Sequence, residues 1–324
     1  MSQALRKTLK ENEDNSKDLI ERFRKDCTIR GMTPESIIRY VSTLRIFRTF
    51  LNERGSDPLK VDGNMLRDWL EHLRINRGVS QKTLENYFTE ISSFYEFLLY
   101  EGLIVSNPVS AVRKRYLRRY KNSDEEHTHK LISVEDMGRL INSTMDIRDR
   151  AIITLLAKTG VRRRELISLD FDDIDFVEQS IRLKPTAKRS NRIVFFDGEA
   201  ALILRRWLRA RDGRNPNGNT ALFLSNKGER LERTGISHMV VKSAERIGLH
   251  NPASDRMEDH FSPHCCRHWF TTHLRRAGMS REFIQELRGD VRKEAIDIYD
   301  HIDKKEPARS WQDASCYRIG NRGR

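Results

Sequence analysis

The sequence predicts a mainly α-helical protein of two domains, with a small antiparallel β-sheet in the second. Three observations carry this. The length of 324 residues suits one large domain or two ordinary ones. Apolar residues recur at three- and four-residue steps through 17–110 and again from 131 onward. Between those stretches, residues 111–130 are rich in arginine and lysine and poor in apolar side chains, which is linker composition.

The elements follow in order. Residues 1–16 read as a disordered tail of mixed charge. Thr33 can cap a helix with Pro34 at its first position, and Ile37, Tyr40, Val41, Leu44, Phe47, Phe50 and Leu51 then form one apolar face that ends at Gly55. Met65, Trp69, Leu70 and Leu73 mark a shorter helix. Ser80 caps another, whose face runs from Leu84 to Leu99 before Gly102 stops it. Such a set makes a small all-helical domain.

The second domain spans 131–318, with a short tail at 319–324. Ser133 and Asp136 resemble a capping box, and Ile147, Ala151, Ile152 and Leu155 lead a helix to Gly160. Ile181 and Leu183 alternate with polar residues, as do Ile193 and Phe195, so a hairpin is expected with its turn in 186–191. Ala201, Leu204, Trp207 and Leu208 mark a helix, 211–220 a loop, and further helices open at Thr234, Ser262 and Ser280.

Composition narrows the partner. Lysine and arginine number 60 against 47 acidic residues, giving a net charge of +13 and a pI near 9.7. A fold does not need that excess; a nucleic acid benefits from it. No apolar run approaches the ~20 residues of a membrane span, and the first residues lack a signal-peptide core, so the expectation is a cytoplasmic protein without a membrane partner. Cys27, Cys265, Cys266 and Cys316 form no CxxC pair, and the 264–268 cluster matches no common zinc spacing. No metal or cofactor is expected.

Several clusters carry candidate chemistry. Arg113, Lys114, Arg115, Arg118 and Arg119 in the expected linker either lie along a phosphate backbone or form a solvated tether. His264, Arg267 and His268 fall at i, i+3 and i+4 and would share one helix face, offering a fork for phosphate oxygens beside a proton-transfer group. The alternative is a core histidine with a surface arginine. Arg162 follows Gly160 at a helix end, where it can project into a cleft; Arg163 and Arg164 compete for that role, and Glu165 can pair with one of the three.

Three segments in order resemble the conserved boxes of the tyrosine recombinases, the phage integrase family. Thr159-Gly160-Val161-Arg162-Arg163-Arg164-Glu165-Leu166 is similar to the first-arginine box, Ser262-Pro263-His264-Cys265-Cys266-Arg267-His268 to the HxxRH box, and Glu286-Leu287-Arg288-Gly289-Asp290 with Ile298-Tyr299 to the last. The resemblance covers roughly 17–318. It implies a helical core-binding domain and an α+β catalytic domain that close as a C-shaped clamp on double-stranded DNA. Four protomers would work on two sites, with a monomer or weak oligomer away from DNA. It further implies that Arg162 and Arg267 hold the scissile phosphate, Tyr299 attacks phosphorus, Lys188 protonates the leaving 5′-oxygen, and His264 assists proton transfer. A topoisomerase-like nicking enzyme and a DNA-binding protein with an impaired site are the alternatives.

Two departures stand out. Lys184 and Lys188 both lie near the expected hairpin turn, and Lys188 is preferred because it sits within it. Asp290 stands where the family pattern has histidine or tryptophan. A carboxylate cannot donate to a phosphate, so Asp290 is expected to stay off it. It would instead organise a cation (Arg288, Arg292 or Lys293) or cap the helix leading to Tyr299. Tyr317 lacks a preceding box and reads as a packing residue.

Overall fold

The computed structural model describes residues 18–117, 132–185, 192–215, 218–254 and 256–290. The chain divides between Glu125 and Glu126 into two compact units. The described residues are mostly helical, with one three-stranded antiparallel sheet in the second unit.

The first unit is built from helices α1 (18–29), α2 (Pro34–Glu53), α3 (Gly63–Glu71, continued by a π-turn at His72–Asn76), α4 (Gln81–Tyr100) and α5 (Val109–Tyr116). Side chains close the helix starts: Thr33, Asp62 and Ser80 accept from the backbone N–H of Ser36, Met65 and Thr83. Helix α1 begins where the expected tail ends, with Leu19, Ile20, Phe23 and Cys27 all buried on it at helical spacing. The core is aromatic. Trp69 lies 4.8 Å from the Phe50 ring, and Phe23 meets Phe94 edge-on at 5.5 Å. The buried Tyr95 hydroxyl donates to the Pro58 carbonyl at 2.9 Å.

Helix α5 enters the stretch expected as linker. Val109 and Val112 are buried against the same core, as is Leu117, and this apolar spacing outweighs the basic composition around it. Arg113, Lys114 and Arg115 therefore occupy its last turn, and Arg113 donates to the Thr89 hydroxyl at 3.0 Å. Arg118 and Arg119 lie outside the described residues.

The second unit surrounds one buried helix. It comprises α6 (Val134–Ser143), α7 (Ile147–Thr159), α8 (Arg163–Ser168), strands β1 (Ile174–Asp175), β2 (Ser180–Leu183) and β3 (Arg192–Phe195), then α9 (Gly198–Asp212), α10 (Arg233–Glu245), α11 (Pro263–Arg276) and α12 (Arg281–Arg288). Residues 151–159 of α7 are all buried, with α6, α9, α10 and α11 packed around them. Asp146 caps its start and the left-handed Gly160 ends it.

The hairpin forms, but its second strand faces the other way from the expectation. Ile181 pairs with Val194 and Leu183 with Arg192, and all four are buried. Ile193 is instead 39 % exposed, and Phe195 packs on the opposite side against Phe270, Leu274, Met279, Ile284 and Leu287. Strand alternation fixes this choice: once Arg192 is drawn inward by a buried carboxylate, Ile193 must point out. The expected turn at 186–191 lies outside the described residues. The expected loop at 211–220 also begins later, because Arg211 lies in the last turn of α9. There it is buried, donating to the Ala221 carbonyl at 2.9 and 2.7 Å.

Candidate active site

The sequence between α7 and α8 makes a sharp corner that aims one arginine. Gly160 has φ +60°, and a Cβ there would collide with the Phe270 ring. Val161 is buried beyond it, and Arg162 is the N-cap of α8. Glu165, three residues on, reaches back: its carboxylate accepts from the Arg162 backbone N–H at 2.6 Å and from the guanidinium at 3.3 Å. Of the three consecutive arginines, Arg162 is thus the one this carboxylate holds. Arg163 donates to the Ser237 hydroxyl, and Arg164 is exposed.

Glu165 has a second partner that no local sequence pattern marks. Arg192 of β3 donates to both carboxylate oxygens, at 2.8 and 2.7 Å, with both side chains buried. One buried carboxylate therefore ties the α8 corner to the hairpin. Removing one member of such a pair leaves the other charge buried, so Glu165→Ala is expected to destabilise the second unit by about 3–5 kcal/mol. Urea unfolding checks this, with Glu165→Gln expected to lose less because an amide still accepts from Arg192.

Arg267 approaches from α11 and is only 4 % exposed. Its guanidinium donates to the Gly160 carbonyl, to the Arg288 carbonyl at 2.7 Å and to Asp290 Oδ1 at 3.3 Å. Arg162 donates to the same two acceptors, at 2.8 Å to the Arg288 carbonyl and 2.9 Å to Asp290 Oδ1. Arg288 Nε lies 3.0 Å from the other Asp290 oxygen. The loop that supplies both acceptors is shaped by Gly289 at φ +59°, where a Cβ would strike the Arg192 guanidinium. Burial, and then the nearby charges of Arg162 and Arg288, push the Arg267 pKa down to about 10, so it stays cationic at neutral pH.

The expected shared face of α11 does not form as drawn. Arg267 turns into the domain, while His264 and His268 are exposed, their rings edge-to-face at 4.5 Å. The physical reason is the set of buried carbonyl acceptors that Arg267 satisfies on the inner side. Asp290 does pair with Arg288, as one of the expectations had it, and it also meets both Arg162 and Arg267.

Lys184, the other candidate lysine, is ion-paired to Asp170 and lies 3.9 Å from Asp173. Burial pushes the Asp170 carboxyl up, but hydrogen bonds from Lys184, Arg230 and Thr220 outweigh it and bring the pKa down to about 2. Lys188, Arg292, Lys293, Tyr299 and Tyr317 lie outside the described residues. Among the described residues no cluster of His, Cys, Asp and Glu could hold a metal ion, and no helix is long and apolar enough to cross a membrane. The described cysteines, Cys27, Cys265 and Cys266, are all buried free thiols.

Two arginines from distant segments thus meet at one point of the second unit, a cationic seat suited to an anion. Comparison with known proteins gives the class. Residues 110–306 match the model of the phage integrase family, and residues 19–104 match the phage integrase N-terminal SAM-like domain. The tyrosine recombinase XerC of Pelotomaculum thermopropionicum is 32 % identical over 256 residues, covering 76 % of this chain and 78 % of that protein. The tyrosine recombinase XerC of Haemophilus ducreyi is 29 % identical over 289 residues, covering 88 % and 90 %. Among solved structures, the Tn1549 transposon integrase in complex with transposon right end DNA aligns with a TM-score of 0.68 at 18 % identity, over 89 % of this chain and 99 % of that one. A lambda integrase dimer bound to a COC′ core site aligns at 0.66 and 16 %, over 88 % and 98 %. These two likenesses concern the fold. The chain belongs to the phage integrase family, as a tyrosine recombinase with both the SAM-like and the catalytic domain.

Proposed function

We propose that this recombinase cuts and rejoins duplex DNA at specific sites through a 3′-phosphotyrosine on Tyr299. One observation carries the reading of the site: the guanidinia of Arg162 and Arg267 converge on a single carboxylate oxygen, Asp290 Oδ1. Two fixed cations aimed at one anionic oxygen are what a pentacoordinate phosphorane needs, because its equatorial oxygens gain charge that the ground state lacks. Arg162 and Arg267 hold the non-bridging oxygens. The Tyr299 oxygen attacks phosphorus, the bond to the 5′-oxygen breaks, and a proton from Lys188 goes to that leaving oxygen. Lys188 is favoured over Lys184 because Asp170 already engages Lys184. His264, on the exposed side of α11, assists proton transfer at the tyrosine. The phosphotyrosine conserves the energy of the broken bond, so religation needs no high-energy cofactor.

The helical unit, over 17–110, and the catalytic unit, over 131–318, would grip the duplex together, with the basic residues from Arg113 to Arg119 on its phosphates. The protein would act in the cytoplasm as a monomer or weak oligomer that gathers as four protomers on two sites. A duplex carrying two copies of the cleavage site tests the exchange. Recombinant junctions are expected; products that are only nicked and resealed within one site would overturn the proposal in favour of topoisomerase-like chemistry.

A further inference from the structure

Asp290 is the residue the chemistry above does not use, and it sits in the middle of the site. Its Oδ1 accepts from Arg162 Nη2 at 2.9 Å and from Arg267 Nη2 at 3.3 Å, while its Oδ2 lies 3.0 Å from Arg288 Nε. One anionic oxygen shared by two guanidinia is the arrangement a non-bridging phosphate oxygen would have. The backbone under this side chain is fixed. The Asp290 N–H donates to the Gln285 carbonyl at 3.0 Å, closing the end of α12, and Gly289 holds the left-handed turn. The Asp290 side chain is 29 % exposed, whereas that of Arg267 is 4 % exposed. A rotation of the Asp290 side chain can therefore empty the seat without moving the arginines or the helix.

The geometry points to Asp290 as an internal stand-in for the scissile phosphate, a positioning residue that keeps Arg162 and Arg267 converged in the free protein and swings aside when the phosphate arrives. This rests on the reading that these two arginines hold the scissile phosphate. The stand-in adds to the Arg288 carbonyl that both guanidinia share, and to the Glu165 carboxylate on Arg162, in balancing two like charges in the free chain. It also gives the substitution of a carboxylate for the usual hydrogen-bond donor a physical role. The seat is preorganised, and only an anion that binds both guanidinia better than the carboxylate can displace it.

The test compares two duplexes of the same sequence, taken from DNA trapped covalently on this chain. One carries the normal scissile phosphate; the other carries a neutral methylphosphonate there. Asp290→Asn removes the competing charge and keeps the shape. It is expected to tighten binding of the phosphate duplex by about fivefold, the size of a partly exposed ion pair, and to leave binding of the methylphosphonate duplex unchanged. Asp290→Ser, with a shorter neutral side chain, is expected to give the same substrate-dependent gain. An equal change on both duplexes, or weaker binding of the phosphate duplex, overturns the stand-in. Arg267→Ala on the same pair separates the two claims. If its loss is confined to the phosphate duplex while Asp290→Asn changes nothing, the arginine reading stands and the stand-in fails. If its loss is the same on both duplexes, or if no DNA can be trapped at all, the arginine reading itself fails and the stand-in falls with it.

Discussion

Tyr299→Phe is expected to leave DNA binding intact and to abolish the covalent protein–DNA adduct. The substitution removes one oxygen atom, the nucleophile, and nothing that packs or carries charge. The loss is therefore of the chemical step alone. The remaining cations of the site can polarise the phosphate, but without an attacking oxygen no phosphotyrosine forms. The check is a duplex with a nick placed so that the cleaved fragment diffuses away, which makes the adduct accumulate on a gel. An adduct of undiminished yield in the Phe variant would move the nucleophile elsewhere, with Tyr317 the first to examine.

The next largest effect belongs to Arg267. It is almost fully buried, it fastens the Gly160 and Arg288 carbonyls, and it points a donor at the seat that Asp290 fills. Arg267→Ala removes both the anchoring and the charge, so single-turnover cleavage is expected to fall by about 100- to 1,000-fold, the effect of losing one donor to developing transition-state charge. Arg267→Lys is expected to recover little of this. An ammonium is a point charge, whereas the site uses separate guanidinium nitrogens for the Gly160 side and for the Arg288–Asp290 side. Cleavage within a few-fold of the unmodified protein in Arg267→Lys would show that charge alone suffices.

The sequence was a good guide wherever one local rule decided the outcome. Thr33, Ser80 and Ser133 cap the helices they were expected to cap, and the faces of α2 and α4 are buried along the apolar residues that marked them. The first-arginine and HxxRH boxes do bring Arg162 and Arg267 to a common place. Other features were hidden because tertiary partners decided them. Ile193, Val194 and Phe195 are all apolar, so the pattern of β3 did not by itself say whether Ile193 and Phe195 or Val194 faced inward. The buried Glu165 takes Arg192 inward, and Val194 with it. Arg113, Lys114 and Arg115 gave the start of the basic stretch at 111–130 its linker character, yet Val109, Val112 and Leu117 find the core of the first unit and make the segment part of the domain. On α11, spacing alone could not say that Arg267 had carbonyls to satisfy on the inner side while His264 and His268 stayed outside.

Glycines at two corners belong to the same lesson. Gly160 and Gly289 each stand in a left-handed turn, and each lies where a side chain would collide with a neighbour, Phe270 in one case and Arg192 in the other. Their place in the boxes was visible in the sequence. Their reason is not local: each lets a loop pass close enough to its neighbour for the two arginines to share the Arg288 carbonyl.

A mass-spectrometric map of the covalent adduct tests the role of Tyr299 most directly. The protein is trapped on nicked duplex DNA, the DNA is digested to a short nucleotide remnant, and the modified peptide is sequenced. A 3′-linked nucleotide on Tyr299 and a free 5′-hydroxyl on the released strand are expected. A remnant on another residue, or a 5′-phosphoryl linkage, would contradict that role.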